Sequence, residues 1–151
     1  MRIRNATKED RKSFVKIYSE AYSNLEEYAY RSNKETKRYF NWLFQRDPDG
    51  FFVAEIGEPV GFIACDANWF SFEGDGDSGE IHELFVKPEY QRRGIGKNLL
   101  LHGIKYLENM GKKRVGLWVG IKNTVAIDFY RKMGFKKGEC WGKWLRMVLR
   151  L

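Results

Sequence analysis

The chain of 151 residues is poor in cysteine, proline and long apolar runs. Its two cysteines, Cys65 and Cys140, are too few for a disulfide-stapled secreted domain, and we predict that both are small buried apolar residues. No apolar run approaches the roughly 18–20 residues that a membrane-spanning helix requires. The first ten residues, MRIRNATKED, lack the apolar segment of a secretory signal. These absences predict a cytoplasmic protein without a membrane partner.

Histidine is scarce as well, and blocks of like charge are missing. The two histidines share no metal-ligand spacing with the cysteines, so we predict no metal site. The net charge is +7, but acids are interspersed among the basic residues, which argues against a nucleic-acid partner. Trp141 and Trp144 beside Lys143 and Arg146 are a faint hint of such a partner. Packing in the core or against a second subunit explains this group better.

The apolar residues that are present suffice for one core, since 43% of the chain is hydrophobic and 16% is aromatic. Their periodicity predicts a single mixed α/β domain over residues 1–151, in the order β-α-α-β-β-β-α-β-α-β-β. Helices are predicted at 7–22, 34–46, 95–111 and 123–134, and strands at 1–6, 51–56, 60–70, 80–88, 113–120, 135–139 and 143–151. Within this order, 80–119 is a strand-helix-strand unit with two parallel strands.

The stretch EYQRRGIGKNLL, residues 89–100, places basic residues and glycines where a helix begins. The first N–H groups of a helix have no partners within it, and the helix dipole adds partial positive charge there. Gly94 and Gly96 allow a ligand to approach the backbone closely. Arg92, Arg93 and Lys97 add full charges. The stretch therefore predicts a phosphate or pyrophosphate site.

Two common phosphate motifs do not fit this turn. A Walker A loop needs glycine five positions before Gly96 and Ser or Thr after the lysine, where this chain has Gln91 and Asn98. A dinucleotide fingerprint needs a third glycine, where this chain has Leu99. A turn that uses glycine for its geometry alone is the remaining alternative.

The segment QRRGIG, residues 91–96, resembles the Q/R-x-x-G-x-G/A signature of the GNAT acyltransferase superfamily. ELFVKPEY precedes it and NTVAIDFYRKMGF, residues 123–135, follows, as in that family, and the predicted element order matches along nearly the whole chain. The resemblance implies the GNAT fold, acetyl-CoA as co-substrate without a metal, and direct attack by an amine in a ternary complex. A GNAT-like module that binds CoA or a partner without turnover is the alternative. The resemblance also favours a homodimer.

The resemblance further implies where CoA binds. Its pyrophosphate would lie on the amides of residues 91–97, and its pantetheine arm would pair with the strand at 81–87. The acetyl thioester would enter an opening between strands 80–87 and 114–119. The implied contacts are Leu84, Phe85, Val86, Gln91, Arg92, Arg93, Gly94, Ile95, Gly96, Lys97, Asn123, Ala126, Phe129 and Tyr130. Asn123 is also a plausible helix N-cap, and both roles stay open.

Catalysis requires a base for the amine and an acid for the departing thiolate. The resemblance assigns the acid to Tyr130 and the base jointly to Glu80 and Glu83, with His82 as a further candidate. Strict alternation places Glu80 and His82 on one face of the strand and Glu83 on the other, unless a bulge intervenes. Ribosomal-protein N-terminal acetyltransferases of the superfamily carry a glutamate near the position of Val119, which argues against that subfamily.

Acidic residues flank the predicted acceptor side of the opening. Such residues would attract a cationic amine, although a solvated loop is the simpler reading. They are Glu26, Glu27, Glu73, Asp75 and Asp77.

Overall fold

The computed structural model describes residues 1–70, 72–74 and 76–151. In this part of the chain seven strands form one mixed sheet in the order β1-β2-β3-β4-β5-β7-β6. The strands are β1 (Arg2–Asn5), β2 (Phe51–Ile56), β3 (Glu58–Asp66), β4 (Ser78–Val86), β5 (Arg114–Gly120), β6 (Lys136–Trp141) and β7 (Trp144–Arg150). The helices are α1 (Arg11–Ala21), α2 (Asn33–Arg46), α3 (Ile95–Asn109) and α4 (Thr124–Lys132). The predicted element order and the parallel pairing of β4 with β5 are confirmed.

Some predicted details were wrong. The third strand ends at Asp66 rather than at residue 70, because the Asp66 carboxylate accepts a hydrogen bond from the backbone N–H of Asn68 at 2.9 Å and turns the chain. Cys65 is buried as predicted, but Cys140 is exposed on β6, which lies at the edge of the sheet.

The two faces of the sheet bury different sets of side chains. Helices α1 and α2 cover one face, where the ring of Phe14 is fully buried among Phe40, Phe51, Phe62 and Phe85. Truncating such a buried ring costs about 3–5 kcal/mol. Helices α3 and α4 cover the opposite face with a separate apolar cluster. The sheet therefore lies between two layers of helices, each packed on it through its own apolar core.

Strands β4 and β5 separate part-way along their length. Their parallel pairing runs from Ser78 opposite Arg114 to Ile81 opposite Leu117. Beyond that point β4 continues to Val86 and β5 to Gly120. One edge of β4 is therefore left without a strand partner, and a gap opens between the two strands.

A β-bulge at the same place changes which side chains share a face. Ala64 of β3 pairs with Glu83, and Cys65 pairs with Ile81, so His82 is the extra residue of β4. Strict alternation of this strand therefore fails: Ile81 packs in the α3–α4 core, whereas Phe85 packs in the α1–α2 core. The bulge brings the three candidate bases to the α1–α2 side of the sheet.

Candidate active site

A cleft of about 720 Å³ opens where β4 and β5 separate. Ile81, His82, Glu83 and Leu84 line it from β4, and residues 117–120 line it from β5. Most of its remaining lining is aromatic. Those rings belong to Tyr18, Tyr22, Tyr28, Tyr30, Tyr39, Trp69, Phe70, Phe72, Tyr130, Trp141 and Trp144.

Glu83 is a half-buried carboxylate on the wall of this cleft. Tyr22, which follows α1, donates a hydrogen bond to its Oε1, and Tyr39 of α2 donates to its Oε2 at 2.8 Å. Burial raises the pKa of Glu83 to about 7, against the lowering effect of the two hydrogen bonds. A carboxyl group with this pKa can accept a proton at neutral pH. Sequence reasoning missed both tyrosines, because only the packing of α1 and α2 on β4 brings them to this carboxylate.

Glu80 has a different environment. It is buried and accepts two hydrogen bonds from Arg146 of β7, at 2.7 and 2.9 Å. The arginine reaches β4 by crossing β5 at Gly116, where an added Cβ would lie 2.1 Å from the guanidinium. Burial raises the pKa of Glu80, and the contact with Arg146 opposes that rise. Glu80 is not among the described residues that line the cleft.

His82 lines the cleft but is held by a neighbour. Its Nε2 lies 2.9 Å from Oδ2 of Asp66, and its ring packs edge-on against Trp42 and Trp69. Asp66 is fully buried and also accepts from Arg46 at 2.8 Å. Burial would raise the pKa of Asp66, but these two partners lower it to about 2. Asp66 is therefore ionised at neutral pH and fixes the position of the imidazole.

Tyr130 of α4 is buried, and its side chain borders the cleft. Its hydroxyl makes no hydrogen bond with another described residue. Burial and the nearby charge of Glu83 raise its pKa above the ordinary value. The phenol therefore stays protonated at neutral pH and is available as a hydrogen-bond donor to a ligand.

Asn123 has the N-cap role that the sequence predicted, and its contact with a cofactor stays a prediction. Its Oδ1 accepts a hydrogen bond from the backbone N–H of Ala126 at 3.3 Å, which makes it the N-cap of α4. Asn123 and Ala126 also line the cleft.

The turn at residues 91–97 presents a row of free amides. Among the described residues, none accepts a hydrogen bond from the backbone N–H groups of residues 92–97. Arg92 and Gly94 are in the left-handed region, with φ of 63° and 81°. Consecutive N–H groups around such residues form an anion-binding concavity. The side chains of Arg92, Arg93 and Lys97 are exposed beside it.

Gln91 is an exception among the residues 91–97, whose backbone amides were predicted to bind the pyrophosphate. Its backbone N–H donates to the carbonyl of Pro88 at 3.2 Å, so this amide is not free. Its side-chain amide donates to the carbonyl of Val86 at 3.0 Å and ties the turn to the end of β4.

The remaining predicted CoA contacts also lie around this turn and the free edge of β4. A Cβ on Gly96 would lie 3.8 Å from Val86 and 3.9 Å from Phe129, so these residues surround the turn. Ile95 is buried beneath it, and Phe85 points into the α1–α2 core. Ile95 and Phe85 can therefore offer a ligand only their backbone.

Of the acidic residues that flank the predicted acceptor side, Glu27 lines the cleft. Glu73 pairs with Arg146 at 3.0 Å, and Asp75 lies outside the described residues. Trp141, Trp144 and Lys143 line the cleft, and Trp141 is exposed rather than in the core. A contact of this group with a second subunit stays a prediction.

Within the described parts of the chain, no three His, Cys, Asp or Glu residues cluster closely enough to hold a metal ion. Among the same residues, no helix has the length and apolarity to cross a bilayer.

The fold, the free amides of residues 92–97 and the separation of β4 from β5 together are typical of an acyltransferase that binds coenzyme A. The family model of the GNAT acetyltransferases matches residues 11–135, and the chain belongs to this family. The fold and the family that the sequence predicted are therefore confirmed. Members of this family are acetyl-CoA-dependent acyltransferases.

Similar proteins agree with this class. A protein of Methanocaldococcus jannaschii, named as an uncharacterized N-acetyltransferase, is 47% identical over 150 residues. That match covers 99% of this chain and 66% of the relative, so the chain spans just under two thirds of it. A crystal structure from Pyrococcus horikoshii has a TM-score of 0.90 and 36% identity, with 99% and 98% of the two chains covered. A Thermoplasma acidophilum PaiA N-acetyltransferase in complex with coenzyme A has the same fold, at a TM-score of 0.83 and 24% identity over 99% and 98%.

Proposed function

We propose that this chain transfers the acetyl group of acetyl-CoA to a primary amine by direct attack in a ternary complex. The observation that carries the proposal is the meeting of Glu83 and Tyr130 at one cleft. The cleft opens where β4 and β5 separate. A base and an acid on the same cleft are what acyl transfer to an amine requires.

Acetyl-CoA would enter along the edge of β4 that has no strand partner. Its pyrophosphate would accept hydrogen bonds from the free amides of residues 92–97, with Arg92, Arg93 and Lys97 adding charge. The pantetheine arm would pair with the backbone of Leu84–Val86, as an added strand does. Asn123, Ala126 and Phe129 would border the arm from the α4 side. The thioester would then lie in the cleft beside Tyr130.

The chemical step then follows from the two side chains. The amine nitrogen attacks the thioester carbon, and Glu83 takes a proton from that nitrogen. The C–S bond breaks as the tetrahedral intermediate collapses, and the Tyr130 hydroxyl donates to the departing sulfur, which leaves as the thiol. Because Arg146 holds Glu80 by two hydrogen bonds, Glu80 would position β4 rather than accept the proton.

Titration with acetyl-CoA tests the donor site, and release of free CoA in the presence of amines tests turnover. Acetyl-CoA at 100 times its Kd should stabilise the fold by about 2.7 kcal/mol in thermal unfolding. Gly96→Val should abolish this shift, because its side chain would fill the turn beside Val86 and Phe129. Gly138→Val, at an exposed position of β6 where an added Cβ would make only ordinary contacts with Arg146, is the control.

The alternative of a binding module without turnover would show the thermal shift but no release of CoA with any amine. No stabilisation by acetyl-CoA would contradict both functions. The homodimer is a further prediction, and sedimentation velocity of the purified chain tests it.

A further inference from the structure

One part of the cleft lining is a group of six aromatic rings. It is built by the connection between α1 and α2, the segment after β3, strand β5 and the β6–β7 hairpin. We call it the aromatic wall, formed by Tyr28, Tyr30, Phe72, Trp118, Trp141 and Trp144.

Contacts between elements hold four of these rings in place. Tyr28 packs on Trp144 with ring centroids 5.3 Å apart, and Phe72 meets Trp118 edge-on at the same distance. The guanidinium of Arg146 lies over both of the latter rings, at 5.8 and 5.2 Å from their centroids. The wall is therefore a built surface that unites segments distant in sequence.

The wall nevertheless keeps much of its apolar area open. Trp141 is 70% exposed, Tyr30 48% and Phe72 45%. Exposed aromatic rings grouped around a cleft are typical of a surface that a ligand covers.

The charges of the cleft restrict that ligand. Among its described lining residues the carboxylates are those of Glu27 and Glu83. Lys143 also lines the cleft, donates to the backbone carbonyl of Glu27, and lies 5.7 Å from the ring centroid of Trp144. An ammonium group placed on the wall beside Lys143 would meet the charge of that side chain, whereas an apolar group would not. A single amine can meet Glu83 while the rest of the molecule covers the rings.

Building on the proposed function, we infer that the acceptor is a primary amine carried by an apolar or aromatic group. Its amine points to Glu83, and its apolar group lies on the aromatic wall. The same chemistry occurs in a free arylalkylamine and in a peptide whose first side chain is aromatic.

A panel of acceptors tests this inference. It contains 2-phenylethylamine, ethanolamine, spermidine, and two short peptides that differ only in Phe or Ser at the first position. We expect the kcat/KM of an aromatic acceptor to exceed that of its polar counterpart by about tenfold or more, as an apolar pocket discriminates. If 2-phenylethylamine has the higher kcat/KM, the acceptor is a free arylalkylamine. If the peptide that begins with Phe has the higher value, the acceptor is a peptide. Preference for spermidine or ethanolamine would overturn the inference and leave the proposed function standing. Binding of acetyl-CoA without acetylation of any acceptor would overturn both.

Trp141→Ala assigns the preference to the wall. This exposed ring can be removed without opening the core, so the variant should fold. We expect its KM for the preferred aromatic acceptor to rise about tenfold and its KM for acetyl-CoA to stay unchanged. Met110→Ala, at an exposed site after α3, is the matched control. An unchanged ratio of aromatic to polar acceptors in Trp141→Ala would refute the role of the wall.

Discussion

Glu80 and Glu83 lie on the same strand and, because of the bulge at His82, on the same side of the sheet, yet their surroundings differ. Arg146 holds Glu80 with two charged hydrogen bonds inside the protein. Neutral tyrosine hydroxyls hold Glu83 at the wall of the cleft. Burial raises the pKa of both carboxyl groups, but the guanidinium opposes this rise at Glu80 and cannot itself give up a proton. At Glu83 burial outweighs the two tyrosine hydrogen bonds and raises the pKa to about 7. The comparison teaches that the partner of a carboxylate, more than its place in a motif, determines its role.

The difference between Glu80 and Glu83 is tested most strongly by replacing each of them in turn with glutamine, which has the same shape. Glu83→Gln should lower kcat/KM by about 10²–10⁴-fold, because general base catalysis is lost while the shape of the cleft is kept. Glu80→Gln should lower stability instead and leave kcat within a few-fold of wild type in protein that remains folded. Steady-state release of CoA, with folding checked by circular dichroism, measures both. The reverse result would exchange the roles of the two carboxylates.

Arg146→Ala should destabilise the fold by about 3–5 kcal/mol, since it leaves the buried Glu80 carboxylate without its partner. Urea unfolding measures this change. The double variant Glu80→Leu/Arg146→Met should recover most of the loss, because an apolar pair of similar volume avoids the buried unpaired charge. A small effect of Arg146→Ala would contradict the structural role of the Glu80–Arg146 pair.

Tyr130→Phe should lower kcat about a hundredfold, because the departing sulfur loses its hydrogen-bond donor. The affinity for acetyl-CoA should change little. Pre-steady-state release of CoA and calorimetric titration separate the two quantities. Tyr106→Phe, which removes a hydroxyl on α3 outside the cleft lining, is the matched control. Unchanged turnover in Tyr130→Phe would remove its role as acid.

The pH dependence sharpens the comparison further. With Glu83 as base, kcat/KM should rise with pH through a midpoint near 7, and Glu83→Gln should lose this limb. The native state holds the Glu83 proton up to about pH 7, whereas an unfolded glutamate releases it near 4.3. The stability contributed by this group is therefore present below about pH 4 and is lost as the pH rises to 7. Chemical unfolding from pH 4 to 8 should show that slope in the wild type and its absence in Glu83→Gln.

The smallest expected effect is that of Tyr39→Phe. Removing a donor to the ionised form should raise the pKa of Glu83 and move the kinetic midpoint upward by less than about one pH unit. Tyr30→Phe, whose hydroxyl belongs to an exposed side chain, serves as the control. A midpoint that does not move in Tyr39→Phe would show that this hydroxyl does not tune the base.

The turn before α3, with its free amides and exposed basic side chains, could be predicted from the sequence because it depends on local structure. Gly94, Gly96 and the neighbouring basic residues mark the start of α3, and a free helix start needs no distant partner. The order of helices and strands follows from the periodicity of apolar residues in the same way. The ranking of Glu80, His82 and Glu83 could not be predicted, since each depends on a residue that is remote in sequence.

The amino-acid sequence by itself determined the fold class, the family and the basic, glycine-rich turn before α3, since each depends on neighbouring residues. Only the tertiary structure decided that a bulge turns Glu80 and Glu83 to one side. It also decided that Arg146 reaches Glu80 across Gly116 and that Tyr22 and Tyr39 reach Glu83. The physical reason is that proton affinity is set by burial and by the charge of nearby groups, and both come from segments that meet only when the chain folds.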